Sequence, residues 1–325
     1  MADIAREANV TRITVSRALS HPELVAKDTL ERIESAIART GYIPNQLARV
    51  MKVERSRIVS LAAPAQMSGV YGAISEMLTR SLYDSGLVLN HFPLTDHVTQ
   101  REAALRELAG WRPAVIVMMT GATTEAMAET LRNARAPLVE LLSYSPESAC
   151  TCVGFDQYLA ASRLTGHLID RGYRRIAYAH SGSSPWNNLT ETRLRGVFDR
   201  ISAAGIEGTE YRVPPGFTHG ARLVGEMSTA GSLPDALLCA SDMVAVGALQ
   251  ASLRLGLHVP KDIAICAFDG TELTAVTHPA ITSLDYPLER VAQAGTEEIQ
   301  RLAETPDGPV RRRKIDAHVQ PRQTT

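Results

Sequence analysis

From residue 57 onward the chain alternates short apolar runs with amphipathic segments, and it does so twice. The first series contains Ile58-Val-Ser-Leu-Ala-Ala, Leu87-Val-Leu-Asn-His-Phe, Ala114-Val-Ile-Val-Met-Met and Leu138-Val-Glu-Leu-Leu. The second contains Arg175-Ile-Ala-Tyr-Ala, Tyr211-Arg-Val, Ala236-Leu-Leu-Cys-Ala and Ile263-Ala-Ile-Cys-Ala. Nearly continuous apolar runs of this length predict strands covered on both faces. Residues 74–82, 100–108, 192–204, 220–229 and 244–255 carry helical periodicity between them. Strand–helix alternation requires parallel pairing, because each crossover helix covers one face of the sheet. Two series predict two lobes, with a cleft between them where a small molecule can bind.

The first 44 residues follow a different rule. Ile4, Ala5 and Ala8 stand at helical spacing, and Asn9 ends that helix because Asn tolerates the left-handed conformation. Thr11 is a good N-cap for a second helix with Val15, Ala18 and Leu19 on its buried stripe, and His21-Pro22 breaks it. A third helix presents Leu30, Ile33 and Ile37 and stops at Gly41. Three short helices in this space predict a compact helix-turn-helix head. The resulting organisation is a head over residues 1–44, a hinge helix and linker over 45–56, and a two-lobed domain over 57–325.

Composition excludes several classes. Of the 325 residues 45% are hydrophobic and 21% charged, as in ordinary globular proteins. No apolar run approaches the roughly 20 residues that cross a bilayer, and the N-terminus lacks a signal-peptide pattern, so a cytoplasmic location without membrane contact is expected. The four cysteines (Cys150, Cys152, Cys239, Cys266) are too scattered for a disulfide framework and are read as reduced thiols. The net charge is −1, but residues 1–57 hold ten Lys and Arg against seven Asp and Glu. A mildly basic head on an acidic body suits phosphate contact through a few placed side chains. No dinucleotide-binding Gly-x-Gly-x-x-Gly, P-loop or Gly-x-Ser-x-Gly elbow is present, and the histidines lack metal-ligand spacing. Neither an enzyme nor a metal or cofactor protein is indicated.

Ile4-Ala-Arg-Glu-Ala, Thr14-Val-Ser-Arg, Gly41-Tyr-Ile-Pro-Asn and Ala48-Arg49 resemble the head of the LacI/GalR family of transcriptional regulators. Leu168-Ile-Asp-Arg-Gly-Tyr-Arg-Arg-Ile-Ala, Pro234-Asp-Ala-Leu-Leu-Cys-Ala-Ser-Asp-Met-Val-Ala-Val-Gly, Gly256-Leu-His-Val-Pro-Lys-Asp and Phe268-Asp269 resemble its effector domain. Within the family, Val139-Glu-Leu-Leu and Val153-Gly-Phe-Asp are similar to the gluconate-operon repressors. The resemblance implies an all-α head joined to an α/β, periplasmic-binding-protein-like domain of two doubly wound parallel sheets. It implies a homodimer or tetramer on a pseudo-palindromic, double-stranded DNA operator, controlled by a small sugar or sugar acid such as gluconate. The alternative is a cytosolic sugar-binding protein without DNA-binding activity.

That resemblance assigns residues. The second helix enters a major groove, with Arg12 and Ile13 as the specificity pair and Arg17 one turn later. An arginine there grips guanine O6 and N7, whereas Ile13 has only a thymine methyl to touch. Thr11, Thr14 and Ser16 are phosphate ligands and caps. Asn45, Leu47, Ala48 and Met51 belong to the hinge, where Met51 stands in place of the usual wedge leucine of the minor groove. In the cleft the carry-over falls on Asp156, Arg193 and Asp269, with Tyr71, Ser241 and Tyr286 as secondary wall positions. Carboxylates and a guanidinium suit a polyhydroxylated or acidic ligand. Trp186 is either a lid residue or ordinary loop packing. The chain departs from the family at Ala26, where a capping Ser is common, at Ala267 and Gly270 around Phe268-Asp269, and at Tyr286 in place of Gln.

Overall fold

The computed structural model describes residues 1–42, 56–65, 69–95, 97–119, 124–182 and 188–325. The chain divides into two compact units, Met1–Ser56 and Arg57–Thr325.

In the first unit α1 (Ala2–Glu7), α2 (Arg12–Ser20), a 3-10 turn (Pro22–Leu24) and α3 (Lys27–Thr40) follow one another. Asn9 adopts a left-handed φ of 51° after α1, and Gly41 closes α3 at φ 60°. Thr11 caps α2 by accepting the Thr14 N–H at 3.2 Å. Ala26 offers α3 no side-chain cap, a loss worth about 1 kcal/mol of helix stability against a serine. Ile4, Val15, Ile33 and Ala36 form a closed core with Leu19, Leu30, Ile37 and Tyr42 packed on it. Arg39 ties α3 to α1 through Glu7 at 2.6 Å.

The second unit contains two six-stranded sheets. Strands β1 (Ile58–Pro64), β2 (Val88–Leu94), β3 (Val115–Met118), β4 (Leu138–Leu141), β5 (Thr151–Gly154) and β11 (Arg312–Lys314) form one, in the order β11-β5-β4-β3-β1-β2. The other has the order β12-β10-β9-β8-β6-β7 and is built from β6 (Arg175–His180), β7 (Glu207–Arg212), β8 (Ala236–Cys239), β9 (Ala264–Ala267), β10 (Thr282–Asp285) and β12 (His318–Gln320). All pairings are parallel except β10 with β12. The connecting helices are α4 (Val70–Asp84), α5 (Val98–Gly110), α6 (Glu125–Asn133), α7 (Gln157–Asp170), α8 (Asn188–Ala203), α9 (Phe217–Thr229), α10 (Asp242–Arg254), the short α11 (Glu272–Val276) and α12 (Leu288–Glu304).

The chain passes between the sheets three times: after β5, between β10 and β11 through α12, and between β11 and β12. One apolar cluster spans both sheets and includes Leu61, Val117 and Val139 together with Tyr178, Leu238 and Phe268. Two helix pairs pack at backbone distance. A Cβ on Gly196 of α8 would lie 2.4 Å from the Tyr158 carbonyl of α7. The α9–α10 crossing is tighter still, with 2.0 Å between a Gly220 Cβ and the Val244 carbonyl. All four cysteines are free thiols.

Candidate functional site

In the head, α2 turns Val15 and Ala18 inward, so Arg12, Ile13 and Arg17 face outward. Ile13 is 71% exposed. The Thr11 and Thr14 hydroxyls pair at 2.9 Å at the start of the same helix. Arg12, Ile13 and Arg17 thus share the outward side of one short helix close to its N-terminus, where the helix dipole favours phosphate. Asn45, Leu47, Ala48 and Met51 lie outside the described residues, as does Trp186.

In the second unit the convergence centres on Arg193 of α8. Gly196 holds that helix against α7, and Arg193 then points inward with its side chain only 13% exposed. Its guanidinium stacks 3.9 Å above the Phe268 ring. Its Nε donates to Gln157 Oε1 at 2.8 Å, and one terminal nitrogen donates to the Tyr286 hydroxyl at 3.4 Å. The other terminal nitrogen reaches Asp269 Oδ1 only at 4.0 Å. Gln157 is buried and donates its own amide to the Leu142 carbonyl, which fixes its orientation. Tyr286 is buried edge-on against Phe155 at 4.5 Å. Tyr71, in the first turn of α4, is half-buried. Burial pushes its hydroxyl pKa up, while the nearby positive charges of Arg193 and Arg101 pull it down. Residues of both lobes therefore meet at Arg193.

Asp269 follows β9, at the carboxyl end of the second sheet, where ligands bind in open α/β sheets. Burial, reinforced by the charge of Asp242, pushes its carboxyl up to about 7, against the pull of Arg193. Asp242 competes successfully for donors: it accepts from the Thr271 N–H and Oγ1 at 2.7 Å each and from the Gly270 N–H at 3.2 Å. Burial raises both carboxyls, which titrate as a pair, and the three donors on Asp242 hold its own rise back.

This has a consequence for stability. An unfolded aspartate ionises near 3.8, so between about pH 4 and 7 the folded chain holds a proton that the unfolded chain has lost. Stability must therefore fall as pH rises through that window and level off above it. Asp269→Asn is expected to flatten that fall. A thermal melt series from pH 5 to 8 in which both proteins keep the same slope would refute the assignment.

The six cleft residues assigned from sequence do not all gather here. Arg193, Asp269, Tyr286 and Tyr71 do. Ser241 stands at the N-terminus of α10 without a side-chain bond to that helix, on the same rim as Asp269. Asp156 has a different occupation: its carboxylate caps α7 by accepting the Leu159 N–H at 2.9 Å and lines a small cavity with Arg163 and Lys314. The next residue, Gln157, makes the contact with Arg193 instead. An amide between a strand end and a helix start gives no composition signal, so Gln157 was not legible. Asp242, Arg101 and Tyr178 are also absent from the sequence-based set. Of these only Asp242 carries a hint, because it directly follows Ser241 at a helix start.

Two family models match the chain: bacterial regulatory proteins of the lacI family over residues 1–45, and a periplasmic binding protein-like domain over residues 165–325. The HTH-type transcriptional regulator GntR of Escherichia coli K12 is 27% identical over 303 residues, covering 92% of this chain and 90% of the relative. Catabolite control protein A of Staphylococcus aureus Mu50 is 26% identical over 300 residues, covering 90% and 89%. Among solved structures, a LacI-family regulator from Silicibacter pomeroyi superposes with a TM-score of 0.90 at 22% identity, covering 99% of this chain and 98% of its own. The lac repressor dimer bound to operator and an anti-inducer gives 0.81 at 21%, with 99% and 97% covered. The lacI-family head, the periplasmic-binding-protein-like domain that follows it in the chain, and the transcriptional regulators similar over both make this chain a DNA-binding transcriptional regulator of the lacI type.

Proposed function

We propose that the protein is a repressor whose cleft takes a sugar acid of the gluconate type, and whose operator affinity depends on that ligand. The observation that carries this reading is the environment of Arg193: a mostly buried guanidinium on an aromatic floor, with its nearest carboxylate at 4.0 Å. A closer carboxylate would neutralise it, whereas this spacing favours a ligand anion in fork geometry. A second buried guanidinium, Arg101, lies near Tyr71, and Asp269 is half-protonated near neutral pH. The balance of charge at the cleft is thus positive, and the tyrosine hydroxyls suit sugar hydroxyls. The resemblance of Val139-Glu-Leu-Leu and Val153-Gly-Phe-Asp to the gluconate-operon repressors points the same way.

A homodimer accounts for apolar side chains left on the surface of the first lobe. Tyr83 on α4 is 79% exposed, and Val88, on the edge strand β2, is 58% exposed. Two copies would also present two heads to the half-sites of a pseudo-palindrome. No helix among the described residues is long and apolar enough to cross a membrane, and we read the protein as a cytoplasmic regulator rather than an enzyme.

Footprinting of DNA flanking the protein's own gene tests the reading. Protection of a pseudo-palindrome is expected, relieved or strengthened by gluconate. No protection at low salt would leave only a sugar-binding protein. In the same assay Arg17→Ala is expected to weaken the operator about tenfold and to relax preference at one base pair, while non-specific DNA binding changes little. Uniform weakening on all sequences would make Arg17 a phosphate contact.

A further inference from the structure

Arg193 is held at short range by neutral oxygens. Its Nε donates to the Gln157 amide oxygen at 2.8 Å, and a terminal nitrogen donates to the Tyr286 hydroxyl at 3.4 Å, whereas Asp269 Oδ1 stands at 4.0 Å. Gln157 is 2% exposed, and its own nitrogen donates to the Leu142 carbonyl. An arginine only donates and a carbonyl only accepts, so these two contacts fix which end of the amide faces the guanidinium. Leu142 is fixed in turn, at a left-handed φ of 68° that few leucines adopt, with its N–H on the Val153 carbonyl. The closest acceptor of Arg193 is therefore both set in place and uncharged.

The helix does not ask for that neutrality. Gln157 opens α7, where a carboxylate would gain from the helix dipole. The acid stands one residue earlier instead, and Asp156 turns to the Leu159 N–H at 2.9 Å. A glutamate oxygen in the place of the amide oxygen would compensate the guanidinium by a charge-assisted pair. The amide orients the same guanidinium and leaves its charge uncompensated. We propose that Gln157 is the positioning residue that makes the cleft select an anionic ligand, holding Arg193 through a neutral oxygen and so leaving its charge to a ligand carboxylate. The cleft then separates a sugar acid from the polyol of the same carbon chain. This rests on the sugar-acid reading above.

The test titrates gluconate, and sorbitol as its uncharged counterpart, into wild type, Gln157→Glu and Gln157→Leu by calorimetry. The leucine variant loses the same bond to Leu142 as the glutamate variant but adds no charge. Wild type is expected to prefer gluconate by about a hundredfold. Gln157→Glu should lose about that factor for gluconate and change little for sorbitol, whereas Gln157→Leu weakens gluconate but keeps the preference. Undiminished gluconate affinity in Gln157→Glu would overturn the proposal, as would equal losses for both ligands or a preference that vanishes in the leucine variant too. Thermal melts without ligand give a second reading, because Asp269 senses the charge of Arg193. In Gln157→Glu the fall of stability with pH should extend above its wild-type end near pH 7, and in Gln157→Leu it should not. If wild type binds neither ligand, the sugar-acid reading falls and the melts decide alone: an unmoved window in Gln157→Glu overturns the role of Gln157.

Discussion

Arg193→Met leaves a folded repressor that no longer responds to its ligand. Methionine keeps the aliphatic length on Phe268 but removes every donor that Gln157, Tyr286 and the ligand anion use. Losing a buried, fork-geometry ion pair costs about 3–5 kcal/mol of affinity, at least a hundredfold. The fold is spared most of that cost. Removal of one partner is severe when it strands the other charge, but Asp269 already titrates near 7 and can take a proton instead. Operator binding should therefore survive while gluconate stops changing it. An anisotropy titration of operator DNA with and without gluconate reads both halves. A variant that still responds would locate the anion site elsewhere, and one that no longer binds operator would give Arg193 a structural role.

Gly247→Ala is expected to cost the second unit about 3 kcal/mol or more, at the upper end of overpacking penalties. The added Cβ would sit 1.9 Å from the Phe217 carbonyl oxygen and 2.7 Å from its carbon, and both belong to backbone that no rotamer change can move. The melting temperature should drop by roughly 6–12 °C, at the 2–4 °C per kcal/mol typical of domains this large. Gly225, on the partner helix α9, is the control. Nothing lies within 4 Å of a Cβ built there, so Gly225→Ala should stabilise by up to about 1 kcal/mol through helix propensity. Opposite signs from the same substitution would separate close packing from propensity. If Gly247→Ala melts with the wild type, the helices do not cross as tightly as described.

The contrast explains which parts of the molecule the sequence disclosed. Strands covered on both faces, such as Val115–Met118 and Ala236–Cys239, leave unbroken apolar runs, and these were legible. Among the edge strands β2 was legible as residues 87–92 and β7 only at its end, Tyr211-Arg-Val, while β11 and β12 were not. Glu207–Arg212 is mostly exposed, and Arg312–Lys314 and His318–Gln320 are three residues each and polar. Pairing with one neighbour asks for backbone, not for apolar side chains, so no pattern marks them. The head was legible throughout, since caps and turns are local: Asn9, Thr11 and Gly41 act within a few residues of themselves. In the cleft, the family resemblance picked out Arg193 and Asp269, but which residues hold them was hidden. Asp156 and Gln157 are neighbours in sequence, and only the direction of each side chain sends one to a helix cap and the other to the guanidinium. Likewise Asp242 matters because it takes the donors Asp269 lacks, a fact of three-dimensional competition.

Arg193 is fastened not to a lobe but to the joints between lobes. Gln157 begins the helix that leaves the first sheet, and Tyr286 follows the strand that leaves the second, so two of its three nitrogens are anchored on separate crossover strands. Those strands touch through Phe155 and Tyr286. Any group that moves that guanidinium would therefore load both connections between the sheets at once.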